Sequence, residues 1–161
     1  MTEYAKFGIV SNMSERNINF GCGENRIPGW ECWDSDCDVT KTLPYHDNWA
    51  DKILAEHLVE HLTGPEGFRF MRECHRILKP GGVLRICVPT LKDEMTNEHR
   101  ADLILGHGHK MVYCRESLRM MLRTAGFIGV GATGFKECDG HHRIIGAFKD
   151  NLETLRMEGS K

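Results

Sequence analysis

The chain has 161 residues, 40% of them hydrophobic and 27% charged, which fits one globular domain over residues 1–161 with its own core. The formal net charge is −2 and the basic residues are scattered, which argues against nucleic acid as a partner. No apolar run approaches the ~18 residues of a membrane span, and the N-terminal residues lack a signal pattern, so we expect a cytoplasmic protein that does not enter a membrane.

Short apolar runs predict buried strands at 18–21, 30–34, 52–55, 83–88 and 127–133, with a weaker strand at 154–159 that pairs at an edge. A helix is predicted from Pro65 to the "KPGG" at 79–82, and a second over 115–125, followed by Gly126. A shorter helix is expected to begin near Glu56, and residues 92–105 also favour a helix. Strands that alternate with helices from residue 52 onward predict an α/β fold with a mainly parallel sheet.

The seven cysteines are odd in number, irregularly spaced and without a C-x-x-C pair. Structural zinc usually has paired close ligands, so a zinc site formed by Cys32, Cys37 and histidines is disfavoured. We predict reduced thiols and, from the sequence, no metal.

The first predicted strand runs into a glycine turn, "INFGCG", with Gly21 and Gly23 on either side of Cys22. Glycines at that place let the backbone approach a ligand at the carboxyl end of a strand. Arg26 stands where a dinucleotide fingerprint needs its third glycine, and no phosphate-binding loop follows. Pyrophosphate cofactors, and with them a dinucleotide oxidoreductase, are therefore disfavoured.

Three later segments follow one another along the chain in an order that is informative about the family: "LPYHDNWADKILAEHLVEHL" at 43–62, "ECHRILKPGGVLRICVPTL" at 73–91 and "GHKMVYCRESLRMMLRTAGF" at 108–127. Together they resemble the class I S-adenosylmethionine-dependent methyltransferases, in the small type 11 branch. The resemblance covers roughly residues 17–159, and "RILKPGG" is its most specific part. It implies a Rossmann-like methyltransferase fold and S-adenosyl-L-methionine as the cofactor.

The resemblance also implies which residues meet the cofactor. The glycine turn would approach the methionine part, two aspartates the ribose and the adenine amino group, and the end of the 52–55 strand the sulfonium. These residues are Gly21, Cys22, Gly23, Asp34, Asp38, Ala55 and Glu56. Glu60 and His61 match the family's "EH", one helical turn further on, and we expect them to be structural.

An acceptor hydroxyl needs a general base, and histidine titrates near neutral pH. His57 follows a predicted strand end, and His107 and His109 lie in a glycine-rich loop, so these three are the candidate catalytic residues. His141 and His142 are interpreted as a polar turn.

The first half of the predicted fold is short. Only six residues separate Gly23 from Trp30, whereas a parallel crossover needs about a dozen or more. We therefore predict that residues 23–44 are mostly loop, with at most a short strand at 30–34. The short spacing leaves Asp34 and Asp36 as alternatives for the ribose.

These observations predict a methyltransferase that acts on a small molecule or sugar-type metabolite. The alternative is a module that binds S-adenosylmethionine without turnover and serves a regulatory or interaction role. Because few residues precede the first strand to cover the site, we expect either a large acceptor that covers it, a partner subunit that does so, or weak catalysis. Homo-oligomerisation is one way to supply that subunit.

Overall fold

The computed structural model describes residues 15–24, 26–89, 96–132 and 154–161. The sequence-based expectations for the N-terminal segment before residue 15, for the beginning of the 92–105 helix and for the turn at His141 and His142 lie outside these residues.

A six-stranded mixed sheet forms the centre of the described structure, in the order β2-β1-β3-β4-β6-β5. The strands are β1 (Asn17–Phe20), β2 (Trp30–Trp33), β3 (Ala50–Glu56), β4 (Leu78–Pro89), β5 (Ile128–Ala132) and β6 (Thr154–Ser160). β1 pairs in parallel with β2 and β3, and β3 pairs in parallel with β4. All six predicted strands are confirmed, and the α/β class with them.

The predicted edge position of the last strand is wrong. β6 lies between β4 and β5 and runs antiparallel to both. Its alternating burial, with Leu155 and Met157 inside, is the pattern of a strand with one solvated face, which sequence alone does not distinguish from an edge strand. An ion pair between Arg85 of β4 and Glu158 of β6 joins the two strands.

The described residues form three α-helices: α1 (Gly64–Ile77), α2 (Asn97–Leu105) and α3 (Arg115–Ala125). Thr63 and Glu66 form a capping box that begins α1, and Gly126 ends α3 in the left-handed region with φ +112°. The short helix expected near Glu56 is instead a single 3-10 turn, Val59–His61. His57 has φ +49°, which prevents a helix from continuing directly out of β3.

The main core lies between the sheet and the pair α1 and α3. Phe70 and Met71 of α1 and Leu118 and Leu122 of α3 are fully buried there. On the opposite face, a smaller cluster joins Leu54 and Cys87 of the sheet to Ile27, with Trp30 packed against it. The loop that replaces a crossover helix therefore still covers apolar surface of the sheet.

The segment from Gly23 to Pro44 has no helix among its described residues, and β2 is its short strand. The predicted loop is thereby confirmed for those residues. Its far end is held to α1 by Arg76, whose guanidinium donates to the carbonyls of Leu43 and Tyr45 at 3.2 and 2.8 Å, to Asp47 at 2.8 Å and to Glu73 at 2.8–2.9 Å.

The "RILKPGG" segment acts mainly in this scaffold. Beyond Arg76, the Lys79 ammonium lies 2.7 Å from both carboxylate oxygens of Asp51. A Cβ at Gly82 would come within 2.9 Å of the Lys79 carbonyl and 3.0 Å of the Asp51 carbonyl, so the strand pairing at this point requires glycine. The "RILKPGG" motif, the most specific part of the resemblance, therefore contributes to the stability of the fold more than to the chemistry.

The Glu73 carboxylate should make stability depend on pH. Hydrogen bonds from the Arg76 guanidinium hold its pKa below the usual value, so its contribution is present above the unfolded pKa of about 4.3 and lost as pH falls through the folded value. We expect Glu73→Gln to lower the free energy of unfolding by about 1–2 kcal/mol at pH 7 and by progressively less below pH 4. Urea denaturation between pH 3 and 7 measures this, with Glu98→Gln on the exposed side of α2 as control. A difference that stays constant over this pH range would contradict the assignment.

Among the described residues, no helix combines the length and the apolar character needed to cross a bilayer.

Candidate active site

A pocket of about 320 Å³ opens where β1 and β3 end. That volume lies in the range of small-molecule sites, and the carboxyl ends of parallel strands are where open α/β sheets bind ligands. The pocket is lined by Asn19, Gly21, Cys22, Gly23, Glu24, Glu56 and His57. Two segments that the sequence analysis singled out separately therefore meet in one site.

The backbone of the glycine turn forms part of the wall of this pocket. Gly21 and Gly23 have φ of +74° and +49°, which favours glycine at both positions. The amides of Gly21 and Cys22 donate to the carbonyl of Trp33 at 2.8 and 3.2 Å, which ties the turn to the end of β2. A Cβ at Gly21 would lie 3.1 Å from the Cβ of Leu58, whereas no atom of the part of the chain that the structure describes lies within 4 Å of a Cβ at Gly23. Gly23 therefore borders open space in which a ligand can approach the backbone.

The side chain of Asn19 lines the pocket and was missed by the sequence analysis. Only 3% of Asn19 is exposed, and its Oδ1 has no hydrogen-bond partner among the described residues. Burying a hydrogen-bond acceptor without a donor lowers the stability of the fold, unless a ligand or a water molecule supplies the donor. One feature of the sequence could have pointed to Asn19: asparagine is depleted in strands, yet it stands here inside a strand that is otherwise predicted to be buried.

The opposite wall is formed by Glu56 and His57. Burial raises the pKa of the Glu56 carboxyl. Burial alone would lower the pKa of His57, but the hydrogen bond to Glu60 and the nearby carboxylates raise it above its usual value. The Nδ1 of His57 lies 3.2 Å from Oε1 of Glu60, and its amide donates to the Cys87 carbonyl at 2.9 Å. The imidazole is thus held by its contact with Glu60, and the main chain of His57 by its bond to Cys87.

His107 and His109 lie beyond this wall. The amides of Lys110 and Met111 donate to the carbonyl of Glu60 at 2.8 and 3.0 Å, which binds the histidine-containing loop to the segment after β3. The His109 ring lies 4.9 Å from the ring of His61, while His107 is exposed. Of the three candidate catalytic histidines, His57 alone is among the residues that line the pocket.

The aspartates lie at or after the end of β2. The amide of Asp34 donates to Oδ1 of Asp36 at 3.0 Å, so Asp36 is engaged with the backbone. Oδ1 of Asp38 accepts from the Thr40 amide and hydroxyl at 3.1 and 2.6 Å, which lowers its pKa to about 2.

These aspartates are not among the residues that line the pocket, and neither is Ala55, which is fully buried beside Phe20. The cofactor roles implied for Asp34, Asp38 and Ala55 stay predictions.

Comparison with known proteins matches residues 18–86 to a family described as a methyltransferase domain, of type 11. A probable S-adenosylmethionine-dependent methyltransferase of Mycolicibacterium smegmatis is 31% identical over 106 residues, which are 62% of this chain and 39% of that protein. The chain thus spans about two fifths of the length of this curated relative.

Solved structures match the fold over nearly the whole chain. A SAM-dependent methyltransferase of Archaeoglobus fulgidus has a TM-score of 0.66 at 17% identity, covering 92% of this chain and 87% of that one. A Haloferax volcanii methyltransferase, solved in complex with the Trm112 methyltransferase activator, has a TM-score of 0.63 at 14% identity and coverages of 91% and 82%. Phosphoethanolamine N-methyltransferase 2 of Haemonchus contortus, solved with S-adenosyl-L-methionine, has a TM-score of 0.64 at 11% identity and coverages of 92% and 49%.

The match over residues 18–86, the relative with 31% identity and the shared fold support a class I S-adenosylmethionine-dependent methyltransferase. The matched family model is of type 11, as the sequence resemblance implied, and it covers residues 18–86 of this chain.

Proposed function

We propose that this chain binds S-adenosyl-L-methionine in the pocket at the ends of β1 and β3 and transfers its methyl group to a small-molecule acceptor. The supporting observation is that every residue lining the pocket, from Asn19 to His57, falls within the segment that matches the methyltransferase domain.

The residues of the pocket fit this cofactor. The orphaned Oδ1 of Asn19 can accept from the cofactor's ammonium group, and the backbone at Gly21 and Gly23 leaves room for its methionine part. Asp34 follows β2 directly, next to the carbonyl of Trp33 that anchors the glycine turn, so its carboxylate is the candidate for the ribose hydroxyls.

When bound, S-adenosylmethionine supplies a methyl group already activated on a sulfonium. The protein's task is then to align an acceptor with that methyl and to exclude water. His57 lies at the pocket wall, held by Glu60, where it can take a proton from an acceptor hydroxyl. The net charge of −2 favours a metabolite, such as a sugar, over a nucleic acid as the acceptor.

Two measurements, made one after the other, test this function. Isothermal titration with S-adenosylhomocysteine detects the cofactor site, and a screen with methyl-labelled S-adenosylmethionine over metabolite pools detects turnover. Label transferred to a small metabolite supports the proposal. Binding without transfer to any pool would favour the alternative, a binding module without turnover, and absence of binding would overturn both.

Asp34 should contribute strongly to cofactor affinity. Hydrogen bonds to a charged group are worth about 1.5–3 kcal/mol, so we expect Asp34→Ala to weaken S-adenosylhomocysteine binding by roughly 10- to 100-fold. Asp36→Ala is the matched control two residues away, with an expected loss below about tenfold, since Asp36 contacts the Asp34 amide. A larger loss in the Asp36 variant would assign the ribose to Asp36 instead.

A second subunit is a further part of the proposal. The Haloferax volcanii neighbour is solved in complex with an activator chain, and the segment of this chain from Gly23 to Pro44 has no helix among its described residues. Size-exclusion chromatography with light scattering tests the expected homo-oligomer, and a monomer at micromolar concentration would contradict it.

A further inference from the structure

We propose that Glu60, His61 and His109 form a binding site for Zn²⁺ or a similar divalent transition metal, next to the cofactor pocket. One carboxylate oxygen and one nitrogen from each imidazole lie within 4.8 Å of one another. Small side-chain rotations bring such atoms to the ~2.0–2.2 Å metal distances of zinc sites. The site stands on these three residues and does not depend on methyl transfer.

The Glu60 carboxylate gives the strongest reason to expect a cation. Its residue is 1% exposed, and Oε1 lies 3.2 Å from Nδ1 of His57. Oε2 is buried without a hydrogen-bond partner among the described residues. A buried carboxylate oxygen without a donor carries a large desolvation penalty, which a metal ion would offset.

Backbone contacts hold the two ligand segments together. The carbonyl of Glu60 accepts from the amides of Lys110 and Met111, directly after His109. The rings of His61 and His109 meet edge to face at 4.9 Å, although the two residues are far apart in sequence. The ligand atoms are therefore preorganised by the main chain, which lowers the entropy that metal binding must overcome.

The donor set points to the class of metal. Imidazole nitrogens suit Zn²⁺ and other late transition metals, whereas Ca²⁺ and Mg²⁺ prefer sites made of oxygen ligands. Two histidines and one glutamate leave a further coordination position for water or another ligand, as in catalytic zinc sites. His57, which touches Glu60 and lines the pocket, would then be an outer-shell partner of the ion.

The sequence-based expectation of no metal rested on the cysteines, which have the wrong spacing. The "EH" of the family motif, Glu60 and His61, is expected to be structural because it lies one helical turn beyond the strand end, and that expectation does not take His109 into account. Only the fold brings His109 to His61, so the cluster has no local sequence signature.

Zn²⁺ titration of the chelator-treated protein by calorimetry, and Co²⁺ absorption, test the site. We expect one Zn²⁺ per chain and a Co²⁺ spectrum of nitrogen and oxygen ligands without thiolate charge-transfer bands. Loss of an outer-shell partner typically weakens metal binding about 10- to 100-fold, so removal of a direct ligand in His61→Ala or His109→Ala should weaken Zn²⁺ binding by at least about 100-fold, and Glu60→Gln should act in the same direction.

His46→Ala is the matched control, because His46 is exposed and precedes β3, at the opposite end of that strand from Glu60. It should bind Zn²⁺ as the wild type does. Circular dichroism checks the fold of each variant, and the half-exposed His61 decides the outcome if the Glu60 or His109 variant unfolds. Unchanged affinity in His61→Ala, a thiolate band with Co²⁺, or no Zn²⁺ binding by the wild type would each overturn the proposal.

Discussion

Gly23→Val should reduce S-adenosylhomocysteine binding by more than about 100-fold while the protein stays folded. Gly23 lines the pocket with φ +49°, in the region that β-branched residues avoid. Two methyl groups there would fill the space through which a ligand approaches the backbone. No atom of the described residues lies within 4 Å of a Cβ at this position, so the expected loss of stability is limited to backbone strain of about 1–2 kcal/mol.

Gly29→Val is the matched control for this experiment. Gly29 also has positive φ, +81°, and open space at its Cβ, but it is not among the residues that line the pocket. Calorimetry should find normal binding in the Gly29 variant and none in the Gly23 variant at comparable thermal stability. Normal binding by Gly23→Val, or equal loss in both variants, would contradict the placement of the cofactor at this turn.

Arg76→Ala should lower the free energy of unfolding by about 2–4 kcal/mol, the largest effect on stability that we expect from an exchange in the scaffold. The substitution removes five donor contacts, to Glu73, Asp47 and the carbonyls of Leu43 and Tyr45. The Leu43 amide still donates to Glu73, and the Tyr45 amide to the Leu43 carbonyl. The side chain is 27% exposed, so water compensates only part of this loss.

Urea denaturation of Arg72→Ala provides the comparison, since Arg72 lies on the exposed side of the same helix. Arg72→Ala should lower the free energy of unfolding by less than about 0.5 kcal/mol. The free energy of unfolding of Arg76→Lys should lie between those of the wild type and Arg76→Ala, because an ammonium group does not reproduce the forked donors of a guanidinium. Equal stabilities of the two alanine variants would show that Arg76 does not hold the shortened loop.

Local signals in the sequence predicted most of the fold. The range 115–125 for α3 agrees with the structure because its apolar spacing and Gly126 are both local features. The interior position of β6 was not predictable in this way, since it depends on pairing with β4 across more than sixty residues of chain. The role of Ile27 and Trp30 in covering the sheet is likewise a property of the folded loop.

The candidate site was predicted in part. The glycine turn, Glu56 and His57 meet in one pocket, because the carboxyl ends of neighbouring parallel strands lie at one edge of a sheet. Asn19 was missed because its unpartnered oxygen is visible only once the neighbours of β1 are known. The meeting of His61 and His109 also required the tertiary structure.

The proposed function requires that this sheet, with a loop in place of its first crossover helix, still holds S-adenosylmethionine. Calorimetric titration of the wild-type protein with S-adenosylhomocysteine tests it most directly. We expect saturable binding of one ligand per chain, with a Kd of roughly 1–100 μM, and loss of that binding in Gly23→Val. No heat of binding at high micromolar ligand would contradict the account.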